Sequence, residues 1–164
     1  PAADYPAAVL ALDATLVAQG PNGTRTIPVN EFFLDLLTTA LEPEEVLTEI
    51  HVPVPPAGAK MSYQKLANQA SGYATVGVAA IINYGNNGTC QDARIGITGA
   101  ASHALRATSV ESALAGATLD DATVQAAAAQ APDGIDFLDD IHAPADYRRH
   151  ITIGLTRRAI QAAR

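Results

Sequence analysis

The chain has 164 residues, a formal net charge of −7 and 48% hydrophobic residues, and its mean hydropathy is +0.10. This length and apolar content suit one globular domain or two small ones with a sizeable core. The acidic balance disfavours nucleic acid or an anionic membrane as a partner, because either would attract a basic face. No apolar run is long enough to insert into a membrane as a spanning helix. The single cysteine, Cys90, excludes an internal disulfide and fits a reducing cytoplasm.

The first third of the chain predicts a β-rich unit with a short helical turn. Residues 7–18 favour helix at their alanine-rich end and strand at their β-branched end. Two apolar runs around the turn 20–23 predict a hairpin, and Asn30 is expected to cap a helical turn. Residues 46–52 alternate as a strand whose even-numbered side chains share one face.

A proline-rich segment, 53–59, ends this unit and predicts a domain boundary after residue 54. Residues 60–69 then form a candidate strand. Two β-rich runs, 74–84 and 89–99, flank the glycine- and asparagine-containing segment 85–88, which predicts a second hairpin.

The rest of the chain predicts three helices. Their expected ranges are 108–115, 120–131 and 144–163. Asp120 or Asp121 is expected to cap the second helix. The buried stripe of the third is expected to consist of Ile151, Leu155, Ala159 and Ala162. Both halves of the chain therefore read as α+β.

Hydrolytic or metal-dependent chemistry has little support in the sequence. The four histidines are scattered, and neither an HExxH motif nor a nucleophile or phosphate-loop motif occurs. His51 is expected to face solvent on its strand. The pair Asp139–Asp140 could bind a metal ion, but the sequence favours a solvated loop next to a helix cap.

Lys65 and Asp4 are two isolated charges for which the residues alone leave two readings open. Lys65 is one of only two lysines and lies in an otherwise uncharged stretch. It is either a surface side chain with a buried stem or a fixed cation over a cofactor that becomes anionic on reduction. Asp4 either stabilises a turn before Pro6 or accepts a hydrogen bond from a ligand.

Four stretches carry a resemblance to a known family, in the order in which the family has them. They are PAADYPAAVLALDA, FFLDLLTTALEPEEVLTEIHVP, YQKLANQASGYATVGVAA and DIHAPADYRRHITIGLTRRA. They are distributed along nearly the whole chain and resemble the FAD-binding medium subunit of molybdenum hydroxylases. The similarity is greatest to the aerobic carbon monoxide dehydrogenase type, and the flavin domain of xanthine dehydrogenase is a more distant relative.

The resemblance implies an α+β fold with two parts. Residues 1–54 resemble the end of the second FAD-binding subdomain of the PCMH/VAO (vanillyl-alcohol-oxidase) type. Residues 55–164 resemble the C-terminal domain, a three-stranded antiparallel sheet plus a helical bundle. Relative to the family the chain is expected to be truncated at its N-terminus and to lack the glycine-rich loops that cradle the flavin pyrophosphate.

The resemblance also implies a cofactor site but no catalytic residue. Asp4, Leu47 and Lys65 correspond to residues near the FAD, with Lys65 at the edge of the isoalloxazine ring. Tyr63 and Tyr73 are expected to shield the ring. The chain departs from the family at Asn68–Gln69, where an arginine is frequent, and at Gly72, where an acidic residue is frequent.

As a function, the resemblance implies the transfer of electrons from [2Fe–2S] clusters through FAD to an external acceptor. The partners would be a large subunit with the molybdenum cofactor and a small iron–sulfur subunit, in a cytoplasmic dimer of heterotrimers. The alternative is a non-catalytic docking module that does not bind FAD on its own. Residues 140–150, DIHAPADYRRH, are either a solvated helix start or an element that docks on a partner subunit.

Overall fold

A computed structural model describes residues 2–85 and 88–164. Its first part contains one helix and five strands: α1 (Asp4–Ala11), β1 (Thr15–Gly20), β2 (Gly23–Pro28), β3 (Phe33–Asp35), β4 (Thr38–Thr39) and β5 (Val46–His51). The second part contains four strands and three helices: β6 (Lys60–Ala67), β7 (Ala74–Tyr84), β8 (Cys90–Thr98), β9 (Leu105–Arg106), α2 (Thr108–Leu114), α3 (Asp121–Ala128) and α4 (Ala145–Ala162). The α+β class is confirmed.

A four-stranded antiparallel sheet in the order β6-β7-β8-β9 forms the centre of the molecule. The three long strands expected from the resemblance are present, and β9 adds two residues at one edge. Strand β7 is buried along nearly its whole length, because α1 packs on one face of the sheet while α4 covers β7 on the other. Its sequence is accordingly almost continuously apolar, as is usual for a strand covered on both faces.

The two faces of this sheet belong to two different apolar clusters. Even-numbered β7 residues such as Val76 and Val78 face the main core, which α2, α3 and α4 complete. Odd-numbered residues such as Ala79 and Ile81 contact Ala7 and Ala11 of α1 instead. This alternation is the two-residue period of a β-strand, and it determines which β6 side chains can reach α1.

A smaller sheet, in the order β2-β1-β5, is built from the first part of the chain. The hairpin expected at residues 20–23 is present, with Gly20 opposite Gly23. The pairing of β1 with β5 is irregular between Val17 and Ala18. His51 at the end of β5 is exposed, as expected.

Some local expectations hold and others do not. The Asp120 side chain accepts a hydrogen bond from the backbone N–H of Thr123 at 2.7 Å, so Asp120 is the helix cap. Asn30 is not a cap, because it lies inside a short 3₁₀ turn, Val29–Glu31, that follows Pro28. The predicted turn 85–88 includes Asn86 and Asn87, which lie outside the described residues.

The buried stripe of α4 also differs from the prediction. Leu155 and Ala159 are buried as expected, and Ile151 packs against the core from a half-buried position. Ala162 is exposed instead. The stripe includes a charged residue, Arg148, whose surface is only 4% exposed. Across the described residues, none of the helices is long and apolar enough to cross a membrane.

Arg148 joins α4 to the start of β7 and to two loops through its guanidinium group. It donates to the carbonyl oxygens of Thr75 and Gly99 at 2.6 and 2.7 Å. It also donates to both carboxylate oxygens of Asp140 at 2.8 Å. Partial burial raises the pKa of Asp140, but backbone N–H groups and Arg148 outweigh this and hold that pKa below its ordinary value. The planar fork of arginine makes this multiple contact possible.

We expect Arg148→Met to lower the free energy of unfolding by about 3 kcal/mol, because it leaves the Asp140 carboxylate and two carbonyl oxygens without their donor. Arg148→Lys should recover only part of the loss, since an ammonium group cannot form the fork. Urea unfolding measures both. Arg149→Met is the matched control on the exposed side of α4, and an equal loss there would contradict the role given to Arg148.

Candidate functional site

Asp4 and Lys65, which are 61 positions apart in the sequence, are in direct contact. The Lys65 ammonium donates to Asp4 Oδ2 at 2.7 Å. The Tyr63 hydroxyl donates to Asp4 Oδ1, also at 2.7 Å. Each oxygen of the carboxylate therefore has a donor from β6. Two of the three predicted site residues thus lie together, and Tyr63 joins them through its hydroxyl.

The local sequence explains how the three side chains meet. Ser62 on β6 donates to the carbonyl oxygen of Ala159 in α4, so it faces the main core. Tyr63 and Lys65, at odd positions of the strand, consequently face α1. Asp4 is the first residue of α1, where the positive end of the helix dipole favours a carboxylate.

The residues before α1 are fixed to the central sheet. The Ala2 carbonyl oxygen accepts a hydrogen bond from the backbone N–H of Ala74 at 3.0 Å. The Ala3 carbonyl oxygen accepts one from the buried Thr98 hydroxyl at 2.9 Å. The position of Asp4 is therefore determined by β7 and β8 as well as by its own helix.

The electrostatics of the cluster favour a charged Asp4 and a neutral Tyr63. Partial burial raises the pKa of Asp4. The hydrogen bonds from Lys65 and Tyr63, together with the charge of Lys65, lower it by more, so the net pKa lies below its ordinary value of 3.8. Burial and the neighbouring Asp4 raise the pKa of Tyr63 well above its ordinary value. Tyr63 therefore remains a hydrogen-bond donor at all ordinary pH values.

Gly77 provides the space for the Tyr63 hydroxyl. It lies opposite Lys65 in the β6–β7 register. A Cβ atom at Gly77 would overlap the Tyr63 hydroxyl oxygen and would lie 3.0 Å from a methyl carbon of Thr98. Any larger residue at position 77 would displace Tyr63 from Asp4.

The turn between β6 and β7 supplies a second contact for Lys65. Its ammonium donates to the Gly72 carbonyl oxygen at 3.0 Å, and Gly72 has a φ of +74°. Asn68 stabilises the turn by accepting hydrogen bonds from the backbone N–H groups of Ala70 and Ser71. Both departures from the family pattern thus belong to one asparagine-initiated turn that favours glycine at position 72.

Leu47 lies in another part of the molecule. It is on β5, opposite Ala18, and packs partly buried against the cluster that includes Leu16 and Phe32. Tyr73 directly follows the Gly72 turn and is 59% exposed. The structure therefore brings Asp4, Tyr63 and Lys65 together, and it leaves Leu47 in the core of the smaller sheet.

A cavity of about 380 Å³ begins beside the cluster. It is lined by Ser71 and Tyr73 on the turn, by Leu36 from the β3–β4 connection, and by Leu138 and Arg148 on the far side. Asp4 and Lys65 do not line it. Its volume is near the lower limit for ligand pockets, so it suits the ring of a cofactor better than a whole dinucleotide. The lining also includes the polar side chains of Asn68, Asp140 and His142, and its exposed tyrosine, Tyr73, offers a face on which an aromatic ring could stack.

A second cavity, of about 660 Å³, lies at the β1–β2 turn and is lined by Glu42, Glu44 and Glu45. Arg25 donates to both oxygens of Glu45 at 2.6 and 2.8 Å and holds the pKa of that carboxyl at about 2. The remaining negative charge is unfavourable for a phosphate-bearing ligand. This cavity is therefore not a candidate for the cofactor.

Asp140 is not free to bind a metal ion, because Arg148 occupies both of its oxygens. In the part of the chain that the structure describes, no group of three or more His, Cys, Asp or Glu side chains could hold a metal. The sequence reasoning missed Arg148. Its spacing from Thr152, Leu155 and Ala159 is the signal that could have identified it, since the four positions share one helix face.

Comparisons with known proteins match both parts of the chain. A family sequence model described as the CO dehydrogenase flavoprotein C-terminal domain matches residues 61–163. A second one, described as the FAD binding domain in molybdopterin dehydrogenase, matches residues 1–55.

Individual relatives match almost the entire chain. The carbon monoxide dehydrogenase medium chain of Hydrogenophaga pseudoflava is 37% identical over 163 residues, which is 99% of this chain and 56% of the relative. The 6-hydroxypseudooxynicotine dehydrogenase complex subunit alpha of Paenarthrobacter nicotinovorans is 32% identical over 99% of this chain and 55% of its own length.

A solved structure shows the same fold. It is carbon monoxide dehydrogenase from Hydrogenophaga pseudoflava lacking the Mo-pyranopterin moiety of the molybdenum cofactor. The match has a TM-score of 0.92 and 39% identity, and it covers 98% of this chain and 55% of that one. The chain thus spans about half the length of the relatives it matches.

We expect Asp4→Asn to destabilise the protein at neutral pH by less than about 1 kcal/mol, because the Asp4 side chain is 46% exposed and solvent screens the ion pair. The folded-state pKa of Asp4 lies below its ordinary 3.8, so the charged carboxylate adds stability above that value. This contribution is lost as the pH falls through the folded-state pKa.

Urea unfolding of both proteins between pH 7 and pH 2.5 measures this difference, which should diminish below about pH 3.8. Asp133→Asn, which changes an exposed carboxylate in the connection between α3 and α4, is the control and should show little change at either pH. A difference for Asp4→Asn that persisted unchanged at pH 2.5 would show that the ion pair is not its cause.

Proposed function

Because this chain belongs to the family of CO dehydrogenase flavoprotein C-terminal domains, we propose that it is part of the FAD-carrying medium subunit of a molybdenum hydroxylase. In this role the subunit passes electrons from [2Fe–2S] clusters through FAD to an external acceptor. The substrate is oxidised in another subunit, which holds the molybdenum cofactor. No residue of this chain would then act on the substrate.

The observation that carries the proposal is the contact between Lys65 and Asp4 beside the 380 Å³ cavity. A lysine fixed by a carboxylate and by the Gly72 carbonyl oxygen is a positioned charge rather than a mobile surface residue. The resemblance assigns the same lysine to the flavin edge. The resemblance and the geometry therefore point to the same residue.

The residues of the chain would act by positioning and by electrostatics. The cofactor, when bound, supplies the electron-transfer chemistry. Lys65 would present a fixed positive charge to the ring edge and favour the form of the ring that carries negative charge. Asp4 and Tyr63 would hold that ammonium in place, and Tyr73 would cover the ring and exclude water.

The remaining expectations are part of the same proposal. Leu47 would approach the ring from β5, and the boundary between the two parts of the subunit would lie after residue 54. The two family models, which end and begin near that position, support this boundary.

The partners would be a molybdenum-containing large subunit and a small iron–sulfur subunit in a cytoplasmic dimer of heterotrimers. The different substrates named for two relatives support a flavin subunit that does not select the substrate.

A second candidate function has its own support. Both Asp4 oxygens already accept hydrogen bonds within the chain, and the adjacent cavity suits a ring rather than a dinucleotide. Both features are compatible with a docking module that does not bind FAD on its own. The absorbance spectrum of the purified protein separates the two functions. Near-stoichiometric FAD supports the flavin subunit, and a folded, colourless protein supports the docking module.

In the flavin-loaded subunit, Lys65→Met should lower the flavin reduction potential by an amount on the order of tens of millivolts, because one nearby positive charge is lost. Lys60→Met is the matched control. Lys60 carries the same charge at the start of the same strand, but it is exposed and forms no ion pair with a described residue. Spectroelectrochemical titration measures both variants, and equal potentials in the wild type and the Lys65 variant would remove Lys65 from the site.

A further inference from the structure

Helix α4 carries positive charge that forms no ion pair with the other described residues. The lysines and arginines that form no ion pair among the described residues are Lys60, Arg149, Arg157 and Arg158. Three of these four lie on α4. The guanidinium carbon of Arg149 lies over the Phe137 ring, 6.0 Å from its centroid. Arg157 and Arg158 are exposed. An acidic chain thus leaves two neighbouring guanidinium groups available on one helix.

The side chains around these arginines form one continuous surface. The helical period of 3.6 residues places them on the side of α4 opposite its buried stripe. We define this surface as the outer α4 face, and its members are Tyr147, His150, Gly154, Arg157, Arg158 and Gln161. Its members include no carboxylate, the exposed Asp146 of α4 lies about three turns from Arg157, and Tyr147 is 48% exposed.

Gly154 lies at the centre of this face and has no role inside the chain. A Cβ atom added there would meet no atom within 4 Å, and its backbone is ordinary helix. Glycine in the interior of a helix is less favourable than alanine. Neither packing nor backbone geometry within the chain requires it, so close approach by something outside the chain is the remaining structural reason for it.

We propose that the outer α4 face is a docking surface for a carboxylate-bearing face of another protein subunit. Arg157 and Arg158 would pair with those carboxylates, since the guanidinium fork matches a carboxylate in two hydrogen bonds. Tyr147 would provide the aromatic anchor that interfaces commonly use, and Gly154 would let the partner backbone approach the helix. A subunit of the proposed complex is the partner, so the identity of the partner rests on the proposed function.

The test compares single variants in the assembled protein. The affinity-tagged chain is co-expressed with the molybdenum-containing and iron–sulfur subunits, and the affinity of the purified chain for them is measured. Arg158→Glu should weaken binding about tenfold or more, with the wild-type interaction also weakening as salt increases. Lys60→Glu makes the same charge change on β6 and should leave the affinity within about twofold of the wild type.

Gly154→Leu tests the close approach independently of charge. It should reduce binding as strongly as Arg158→Glu, while the melting temperature of the isolated chain does not fall, because the side chain has open space around it. A photo-crosslinking residue at Gln161 should capture an acidic segment of a partner subunit, whereas the same residue at Lys60 should not.

If Arg158→Glu and Gly154→Leu both bound the partner subunits with the affinity of the wild type, the inference would be overturned. Failure of the wild-type chain to associate with either subunit would also overturn it. The flavin content of the same preparations distinguishes this failure from failure of the proposed function. Bound FAD without association leaves the flavin role intact, and a colourless chain that still associates through α4 retains the docking surface alone.

Discussion

The register between β6 and β7 is the constraint on which the site depends. Lys65 lies opposite Gly77 and Tyr63 opposite Ala79, and in this register both side chains face α1. A slip of one residue would turn them toward α4 and the main core. It would bury a lysine among apolar side chains at a high cost in free energy. The Ser62 hydrogen bond to α4 on the opposite face therefore also fixes the orientation of Lys65.

Two glycines provide space on the α1 side of this sheet, Gly96 for α1 itself and Gly77 for the Tyr63 hydroxyl. A Cβ atom at Gly96 would overlap the carbonyl oxygen of Ala7, and one at Gly77 would overlap the Tyr63 hydroxyl. Both face the α1 side, where the helix contributes small residues such as Ala7 and Ala11. Close contact between small residues brings the first turn of α1, and Asp4 with it, next to the edge strand. The same packing that buries the helix thus assembles the charged cluster.

Local signals in the sequence are sufficient to predict most of the helices and strands. The apolar runs of β7 and β8 and the Asp120 cap could be predicted because each depends on neighbours in sequence. The contact between Lys65 and Asp4 could not be derived in this way, since it depends on long-range packing of a helix on a sheet. Arg148 was missed for a related reason. Arginine is rarely buried unless it is paired, and its pairing with Asp140 depends on the path of a loop.

The geometry favours a positioning role for Asp4 over direct contact with a ligand. Its two oxygens accept hydrogen bonds from Tyr63 and Lys65, and replacing either donor with a ligand would leave a half-buried hydroxyl or an ammonium without its partner. The Lys65 ammonium has three N–H donors, of which Asp4 and the Gly72 carbonyl oxygen take two. One N–H therefore remains for a ligand, although Lys65 itself does not line the cavity that includes Ser71 and Tyr73. Of the three side chains in the cluster, Lys65 is thus the one with a donor left to offer, and Asp4 determines where that donor lies.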